Sequence, residues 1–408
     1  MGSAHAYVIW SVGVVAYTIA VFQRTSFGVS GLDAAQRFQV DPATLSLFVA
    51  VQVVVYASMQ IPAGLLQDRF GTRVLVCAGA VIMASGQATL ALTNSLPIAV
   101  AGRLLVGAGD SLTLIAVLNL VALWFPSRRG ALFYQLTGMI GQLGQVLSAV
   151  PLAWLLRQHG WTHAYIAAAA VSVLVAVLSA SVIKDAPNGA AREQEGPEKL
   201  AVGARLRSVA TNPGTIAGFF AHMGTMFSLT TFVLLWGVPY LSEAQGTSHT
   251  FIATALSMSV AVSIVGGFLF GMVSGRRPHL RERMVMSIIC ANMLVWSVVL
   301  SLSDVAPLWL LLILVATMSL GAPGSLIGFD LARTANAPHV LGTAQGVVNT
   351  GGYVATLIAT AGIGFVLSSA DGYDQDSFRM AWTVQYPIWI VSIVGMIMAA
   401  RRAKALGR

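Results

Sequence analysis

Apolar residues run along the chain in twelve long stretches that are separated by short polar segments. The stretches cover roughly residues 7–30, 44–67, 74–94, 97–123, 130–156, 163–183, 213–241, 250–274, 284–303, 307–330, 340–369 and 379–400. Most of them reach the about 20 residues that an α-helix needs to cross the hydrocarbon core of a bilayer. The pattern predicts an all-α membrane protein with twelve transmembrane helices.

The composition agrees with a membrane protein, and the motifs that are absent exclude several classes of site. Of the 408 residues, 56% are hydrophobic and 9% are charged, whereas a soluble domain carries about 25% charged residues. No G-x-x-x-x-G-K-[ST] sequence is present to cradle nucleotide phosphates. Cys77 and Cys290 lie inside apolar stretches, as small core residues do, and not in a disulfide or metal pattern. We therefore expect no enzyme activity, no metal and no cofactor.

The 23 lysine and arginine residues predict the orientation. With the N-terminus inside, most of them fall in cytoplasmic loops and in the C-terminal tail, and Arg37, Arg157 and Arg379 fall outside. Because positively charged loops stay in the cytoplasm, both termini are predicted to be cytoplasmic. The basic residues are thereby assigned to loops, so no nucleic-acid partner is expected.

A polar segment over residues 185–212 divides the chain near its middle. It combines Pro187, Gly189, Gly196 and Pro197 with charges of both signs, which is typical of a flexible linker. We predict an N-terminal six-helix bundle over residues 1–184, a cytoplasmic linker over 185–212 and a C-terminal six-helix bundle over 213–408. Residues 200–209 are expected to form a short helix at the lipid headgroups.

The two halves look like diverged repeats. Residues 107–112, GAGDSL, parallel residues 321–326, GAPGSL, and residues 27–29, FGV, parallel residues 236–238, WGV. Repeated halves around a midplane cavity are typical of secondary transporters.

The loop between the second and third stretches reads GLLQDRFGTR, from Gly64 to Arg73. Its glycines permit close backbone approach, and Asp68 can bind a neighbouring helix N-terminus or Arg129. We predict a conformational gate, with the members Gly64, Asp68, Arg69, Gly71, Arg73 and Arg129. The alternative is a basic loop that only sets topology.

This loop resembles the signature G-x-L-x-D-R-x-G-x-R of the major facilitator superfamily, position for position. Residues 103–109, RLLVGAG, are similar to the R-x-x-x-G-x-G signature of the fourth helix of that family, whose arginine is linked to coupling and cavity electrostatics. The resemblance covers the whole chain. It implies two six-helix bundles that rock about a central site, lined by helices 1, 4, 7 and 10.

Three charged residues lie inside apolar stretches, where each is costly without a partner or water. Arg24 and Arg103 lie roughly 10 Å above the midplane at 1.5 Å per residue, and Asp110 follows Arg103 by seven residues on the same helix face. Two positive charges against one negative charge favour an anion. We expect both arginines to bind substrate and Asp110 to couple protons.

Each charge has a structural alternative. Arg103 can bond helix carbonyls, Arg24 can extend to the headgroups, and Asp110 can be the partner of Arg103. Because one carboxylate serves two arginines, one arginine lacks a protein counter-ion, and we expect Arg24 to hold a bidentate anion.

Further polar residues lie inside the second, fifth, seventh and eleventh apolar stretches. As substrate contacts we predict Gln52, Tyr56, Gln142, Asn349 and Tyr353, and His222 is a second proton-coupling residue because its ordinary pKa suits that role. The alternative for all of them is packing and hydrogen bonding between helices. We predict that Asp330 and Arg333 form an ion pair, either at a gate or at the surface.

The branch of the family stays open. Residues 342–352, GTAQGVVNTGG, resemble the nitrate/nitrite porter signature G-x-x-x-G-x-G-N-x-G-G, with Val348 in place of one glycine. An arginine near the outer end of the first helix resembles organic-anion and sugar-phosphate porters. The G-P-x-x-G-G motif of drug exporters is absent from the fifth stretch.

The predicted function is proton-coupled secondary transport of a small anionic solute by alternating access. The expected setting is the plasma membrane of a prokaryote, with the protein as a monomer in the lipid bilayer. Drug/proton efflux and a transporter-like solute sensor remain as alternatives.

Overall fold

The computed structural model describes residues 4–39, 51–52, 54–187, 201–369 and 374–405. These residues form helices and connecting turns, with no β-strand in the described ranges. The predicted all-α class is confirmed. The start of the second apolar stretch and residues 188–200 of the predicted linker lie outside the described residues.

Seven α-helices build the first half of the chain. Their bounds are α1 Ala4–Val29, α2 Gly31–Phe38, α3 Gln60–Leu92, α4 Leu96–Trp124, α5 Ser127–Gly141, α6 Leu143–Leu147 and α7 Ala153–Val182. Residues 51–52 and 54–58 are helical ahead of α3. A π-helical turn, Ser148–Leu152, holds Pro151 and joins α6 to α7.

Two glycines divide helical runs that are too long for one crossing. The run Ser127–Val182 has 56 residues, or about 84 Å of straight helix, against a hydrocarbon core of about 30 Å. Gly160 breaks it at φ 76° and ψ 178°, and Gly71 breaks α3 at φ 78° and ψ 173°. Such backbone angles are nearly exclusive to glycine. Ten helical runs are apolar and long enough to span a membrane among the described residues. The break at Gly160 divides one of them into two, and the second apolar stretch, which would supply a further crossing, lies partly outside the described residues.

The second half begins with a short helix and continues in long apolar ones. Their bounds are α8 Val202–Ala210, α9 Pro213–Thr231, α10 Gly237–Pro239, α11 His249–Arg276, α12 Arg281–Ser301, α13 Leu308–Ser319, α14 Gly321–Ala335, α15 Leu341–Ser368, α16 Gln375–Trp382 and α17 Gln385–Ala405. Two π-helical turns, Phe232–Trp236 and Tyr240–Ala244, flank α10. The predicted surface helix over residues 200–209 corresponds to α8.

The described chain divides into two compact units. The first comprises residues 1–130, 137–206 and 337–346, and the second comprises residues 131–136, 207–336 and 347–408. The bundle boundaries at residues 184 and 213 stay a prediction.

Glycine contacts determine how closely the helices approach within each unit. In the first unit, a Cβ added at Gly79 of α3 would lie 2.7 Å from the carbonyl oxygen of Gly109 in α4. In the second unit, a Cβ added at Gly218 of α9 would lie 2.5 Å from the carbonyl oxygen of Gly328 in α14. Such small-residue contacts let backbones pack directly in a membrane protein, and they hold α4 in place for the charged residues that it carries.

Candidate functional site

The centre of the first unit holds an ion pair between α1 and α4. Arg24 Nε donates to Asp110 Oδ2 at 2.7 Å, and Arg24 Nη2 donates to Asp110 Oδ1 at 2.9 Å. Asp110 is fully buried, whereas the Arg24 side chain is 29% exposed. This two-bond geometry is the strong form of an arginine–carboxylate contact. Asp110 thus pairs with Arg24 and not with Arg103. The expectation that Arg24 is the arginine without a protein counter-ion is wrong, because Asp110 binds its guanidinium.

Arg103 lies beside this pair and is 1% exposed. Its Nη2 donates to the carbonyl oxygen of Arg24 at 3.2 Å and to Oε1 of Gln52, and its guanidinium carbon lies 4.9 Å from the ring centre of Phe27. Its Nε and Nη1 make no hydrogen bond within the described chain. Because unmet buried donors are costly, a ligand that accepts hydrogen bonds from these two nitrogens would relieve that cost.

Tyr56 completes this cluster. The guanidinium carbon of Arg24 lies 4.7 Å from the Tyr56 ring centre, a cation–π distance, and Tyr56 is buried. Five of the predicted site residues therefore come together in the first unit: Arg24, Arg103, Asp110, Gln52 and Tyr56. Phe27 was missed as a site residue. Its position three residues after Arg24, on the same helix face, is the signal that identifies it.

A buried polar network stands next to the arginines and was also missed. Gln23 Nε2 donates to Ser172 Oγ at 2.6 Å and to the carbonyl oxygen of Ala168 at 2.7 Å. Gln87 Nε2 donates to Gln23 Oε1 at 2.6 Å and to Ser26 Oγ at 3.1 Å. These bonds link α1 to α3 and α7, and they set the rotation of α1 that brings the adjacent Arg24 to Asp110.

The second unit pairs His222 of α9 with Asn349 of α15. His222 Nε2 and Asn349 Oδ1 are 3.0 Å apart, and His222 Nδ1 is 3.3 Å from the carbonyl oxygen of Ser325. Both side chains are buried. Tyr353 lies one turn after Asn349 on α15 and is half-buried. His222 and Asn349 thus join α9 to α15 within the second unit, and Tyr353 lies on the same helix as Asn349.

The side chain of Gln142 is hydrogen-bonded to a neighbour in the chain, Gln145. It follows the end of α5, is exposed, and its Oε1 accepts a hydrogen bond from Nε2 of Gln145. Among the described residues, no hydrogen bond joins it to the arginine cluster of the first unit. Its predicted role as a substrate contact stays a prediction.

Asp68 of the loop motif caps the beginning of α15. It accepts hydrogen bonds from the backbone N–H groups of Gly342 at 2.7 Å and Thr343 at 2.8 Å, and from the Thr343 hydroxyl. Of the two predicted partners, Asp68 therefore binds the helix N-terminus. Arg129 instead donates from Nη1 to the Tyr7 hydroxyl at 3.3 Å.

The other end of the loop motif is held by the start of the predicted linker. The backbone N–H of Arg73 donates to Asp185 Oδ1 at 2.8 Å, and the same oxygen would lie 2.7 Å from a Cβ added at Gly71. Arg69 lies over the Phe70 ring at 5.1 Å. Gly64 has no room for a side chain because the backbone of Gly342 and Thr343 lies against it.

A second set of charges lies in the second unit, where Asp330 of α14 binds two arginines. Arg281 Nη2 is 2.7 Å from Asp330 Oδ2, and Arg333 Nε donates to Asp330 Oδ1 at 2.9 Å. Ser274 Oγ donates to Asp330 Oδ2 at 2.8 Å. All four side chains are buried, so the surface alternative for Asp330 and Arg333 is wrong. Arg281 was missed because the basic-loop rule places it among aqueous residues.

Among the described residues, no three His, Cys, Asp or Glu side chains are grouped so that they could hold a metal ion.

Comparison with known proteins identifies the family. The sequence model of the Major Facilitator Superfamily matches residues 13–360. The probable galactarate/D-glucarate transporter GarP of Escherichia coli is 21% identical, with 90% of this chain and 89% of GarP covered. The probable sulfoacetate transporter SauU of Cupriavidus necator is 23% identical, with the same two coverages.

A solved structure supports the fold. The crystal structure of the Escherichia coli fucose:proton symporter FucP superposes with a TM-score of 0.74 at 16% sequence identity, covering 97% of this chain and 99% of FucP. Together with the ten apolar helical runs, these findings confirm a multi-pass membrane transporter and not an enzyme. The chain belongs to the Major Facilitator Superfamily.

Proposed function

We propose that the protein carries a small organic anion across the plasma membrane of a prokaryote by alternating access, driven by the proton gradient. The observation that carries the proposal is the ion pair between Arg24, which is 29% exposed, and Asp110, which is fully buried. A solvent-accessible guanidinium whose counter-ion can be neutralised by a proton is suited to exchanging a carboxylate of the protein for a carboxylate of the substrate.

The coupling follows from competition for one guanidinium. While Asp110 is ionised, its two oxygens occupy Nε and Nη2 of Arg24. A proton on Asp110 removes the charge that holds the pair, and Arg24 then offers the same two donors to an incoming anion. Proton and anion binding therefore favour each other, which is the energetic requirement for symport.

The charge count of the cluster favours a substrate with two acidic groups. In the described part of the first unit, Arg103 forms no ion pair with a carboxylate, so the cluster of Arg24, Arg103 and Asp110 carries one net positive charge with Asp110 ionised and two with it protonated. A dianion matches the protonated cluster. The names of the relatives fit this chemistry, because galactarate, D-glucarate and sulfoacetate each carry two acidic groups.

The remaining predicted residues keep subsidiary roles in this proposal. Gln52 and Tyr56 orient the two arginines, and Gln142, Asn349 and Tyr353 offer polar contacts to the hydroxyl groups of a solute. His222 is the second proton-coupling residue. FucP is a fucose:proton symporter, which supports proton coupling on this fold.

The loop motif serves as the conformational gate of the proposal. Gly64, Asp68, Arg69, Gly71, Arg73 and Arg129 are its members, and the three hydrogen bonds to Asp68 are the contacts that must break and reform. We place both termini in the cytoplasm, with the protein as a monomer.

The test begins with substrate identification. Purified protein is screened by thermal shift against galactarate, D-glucarate, sulfoacetate, nitrate and cationic dyes, and stabilisation by the dianions is expected. Stabilisation by the dyes alone would instead support efflux.

Arg24 variants then test the site with the dianion that binds. Arg24→Ala should abolish binding, and Arg24→Lys should weaken it at least tenfold because lysine lacks the two-donor fork. Arg37→Lys is the matched control, since Arg37 bonds only the carbonyl oxygens of Thr93 and Ala91 in the hydrogen bonds of the described chain. Affinity close to wild type in Arg24→Ala would remove the main support for an anionic substrate.

A further inference from the structure

A groove in the second unit lies apart from all the residues discussed above. It has a volume of about 210 Å³ and is lined by Ala210, Thr215, Ile216, Phe219, Phe220 and Val347. Its walls come from the end of α8, the first turns of α9 and the second turn of α15. Apart from the Thr215 hydroxyl, the side chains that line it are apolar.

The aromatic floor of the groove is held in place from behind. Phe219 and Phe220 meet edge to face, with ring centres 5.2 Å apart. A Cβ added at Gly351 would meet the backbone oxygen of Phe219 at 2.5 Å and its ring at 3.1 Å. Gly395 lies directly against the ring of Phe220. Because neither glycine can be replaced without moving a ring, the groove is preformed and does not depend on side-chain rearrangement.

A positively charged residue, Arg207, lies one helical turn before Ala210, the α8 residue that lines the groove. Arg207 is three residues before Ala210 in α8, so the two side chains share one face of that helix. Arg207 is exposed, and the ion pairs of the described residues do not include it. An exposed guanidinium that is in no ion pair of the described residues thus lies one helical turn from the α8 wall of the groove.

The depth of these groups matches the layers of a bilayer. The apolar run that contains α9 begins at Pro213, which puts Arg207 and α8 at headgroup level. Ile216 to Phe220 follow Pro213 by three to seven residues, or roughly 5–10 Å along the helix axis. This is the depth at which acyl chains begin.

We propose that this groove binds an anionic diacyl phospholipid of the surrounding membrane. Its phosphate contacts Arg207, and one acyl chain lies on Ile216, Phe219, Phe220 and Val347. A soluble phosphate compound would leave the aromatic floor exposed, and a neutral lipid would leave the guanidinium without a counter-charge. Basic pockets next to membrane-spanning helices favour anionic headgroups for this reason.

The experiment measures retention of lipid on the purified full-length protein. Native mass spectrometry in detergent gives the apparent Kd of the first bound molecule for dioleoyl phosphatidylglycerol and for dioleoyl phosphatidylcholine, with glycerol phosphate as a soluble competitor. Wild type should prefer phosphatidylglycerol, and glycerol phosphate should not displace it.

Variants test the two parts of the proposed site separately. Arg207→Gln should raise the Kd for phosphatidylglycerol about fivefold, whereas Arg401→Gln, which removes an exposed arginine at the end of α17, should not change it. Ala210→Trp should fill the mouth of the groove and weaken binding, and Ala210→Ser should not. Thermal stability close to wild type verifies the fold of each variant.

Four results would overturn the proposal. Equal retention of the two lipids would remove the anionic preference. An equal loss in Arg401→Gln would make the effect one of net charge, and unchanged binding in Ala210→Trp would place the lipid elsewhere. Displacement by glycerol phosphate would assign the site to a soluble anion.

Discussion

The two halves of the chain place buried charge at different positions of equivalent helices. Matching residues 107–112 with residues 321–326 puts Asp110 of α4 opposite Gly324 of α14, and Asp330 of α14 opposite Ala116 of α4. The first half therefore has its carboxylate beside the helix glycines, where it pairs with a part-exposed arginine. The second half has its carboxylate six residues later, where it binds two buried arginines.

The loops next to these positions differ in the same way. In the first half, Gln67 donates to the Thr72 hydroxyl at 2.8 Å, and Thr72 donates to the carbonyl oxygen of Ala116 at 3.2 Å. In the second half, Ser274 and Arg281 reach the Asp330 carboxylate itself. An uncharged chain of hydrogen bonds in one half thus corresponds to an ionic cluster in the other.

We call the charge of the first half exchangeable, because one partner of its ion pair can be replaced, and the charge of the second half permanent. The Asp110–Arg24 pair touches solvent on the arginine side, so a proton or an anion can replace one partner. The Asp330 cluster is buried on all sides, and removing one member leaves uncompensated buried charge. Three experiments test this division, and we describe them from the largest expected effect to the smallest.

The largest effect is expected on coupling. Asp110→Asn keeps one oxygen for Arg24 but cannot be ionised, so gradient-driven accumulation of the solute in proteoliposomes should be abolished while solute exchange persists. His222→Gln, which can still bond Asn349 but cannot carry a proton, should lower accumulation less than Asp110→Asn, because His222 is the second proton-coupling residue and not the first.

The reverse outcome would move the coupling function to the second half. Accumulation that persists in Asp110→Asn and is lost in His222→Gln would identify His222 as the proton carrier.

The next effect concerns stability. Asp330→Asn leaves Arg281 and Arg333 without a carboxylate and should lower the free energy of unfolding by about 3 kcal/mol or more. Asp110→Asn should cost less, because water can reach Arg24, which is 29% exposed. The melting temperatures of both variants, followed by tryptophan fluorescence in one detergent, give the order. Equal decreases would contradict the division into exchangeable and permanent charge.

The smallest effect is expected at the gate. Asp68→Asn cannot accept all three hydrogen bonds of Gly342 and Thr343 with charge assistance, so we expect impaired transport, normal membrane insertion and a shift towards the inward-open state. Loss of one such bond, worth about 1.5 kcal/mol, changes an equilibrium roughly tenfold.

Cysteine labelling measures this shift. Ala344 is buried, so Ala344→Cys, in a background in which Cys77 and Cys290 are replaced, should be labelled faster from the cytoplasmic side when Asp68→Asn is added. Asp376→Asn, which changes a side chain that is 85% exposed, is the matched control. Unchanged labelling would exclude a gate held by Asp68.

Several site residues could be predicted from the sequence, because the energetic cost of a charge inside an apolar stretch depends only on the neighbouring residues of the chain. A charged residue inside an apolar stretch needs a partner wherever the helix lies, so Arg24, Arg103 and Asp110 are recognisable without a structure. The partners are not local. The pairing of Asp110 with Arg24, the burial of Arg281 and the contact of Asp68 with α15 each join segments far apart in sequence.

The sequence by itself determined the all-α membrane class, the loop motif and the family, because hydrophobic length and short motifs are properties of contiguous residues. Only the tertiary structure decided which groups meet. A rotation of one helix by a single residue turns its side chains by about 100°, and that rotation is set by close contacts such as Gly79 with Gly109 and by the Gln23–Gln87 hydrogen bond. These contacts bring Arg24 of α1 to Asp110 of α4, whereas Arg103 lies about two turns from Asp110 on the same helix.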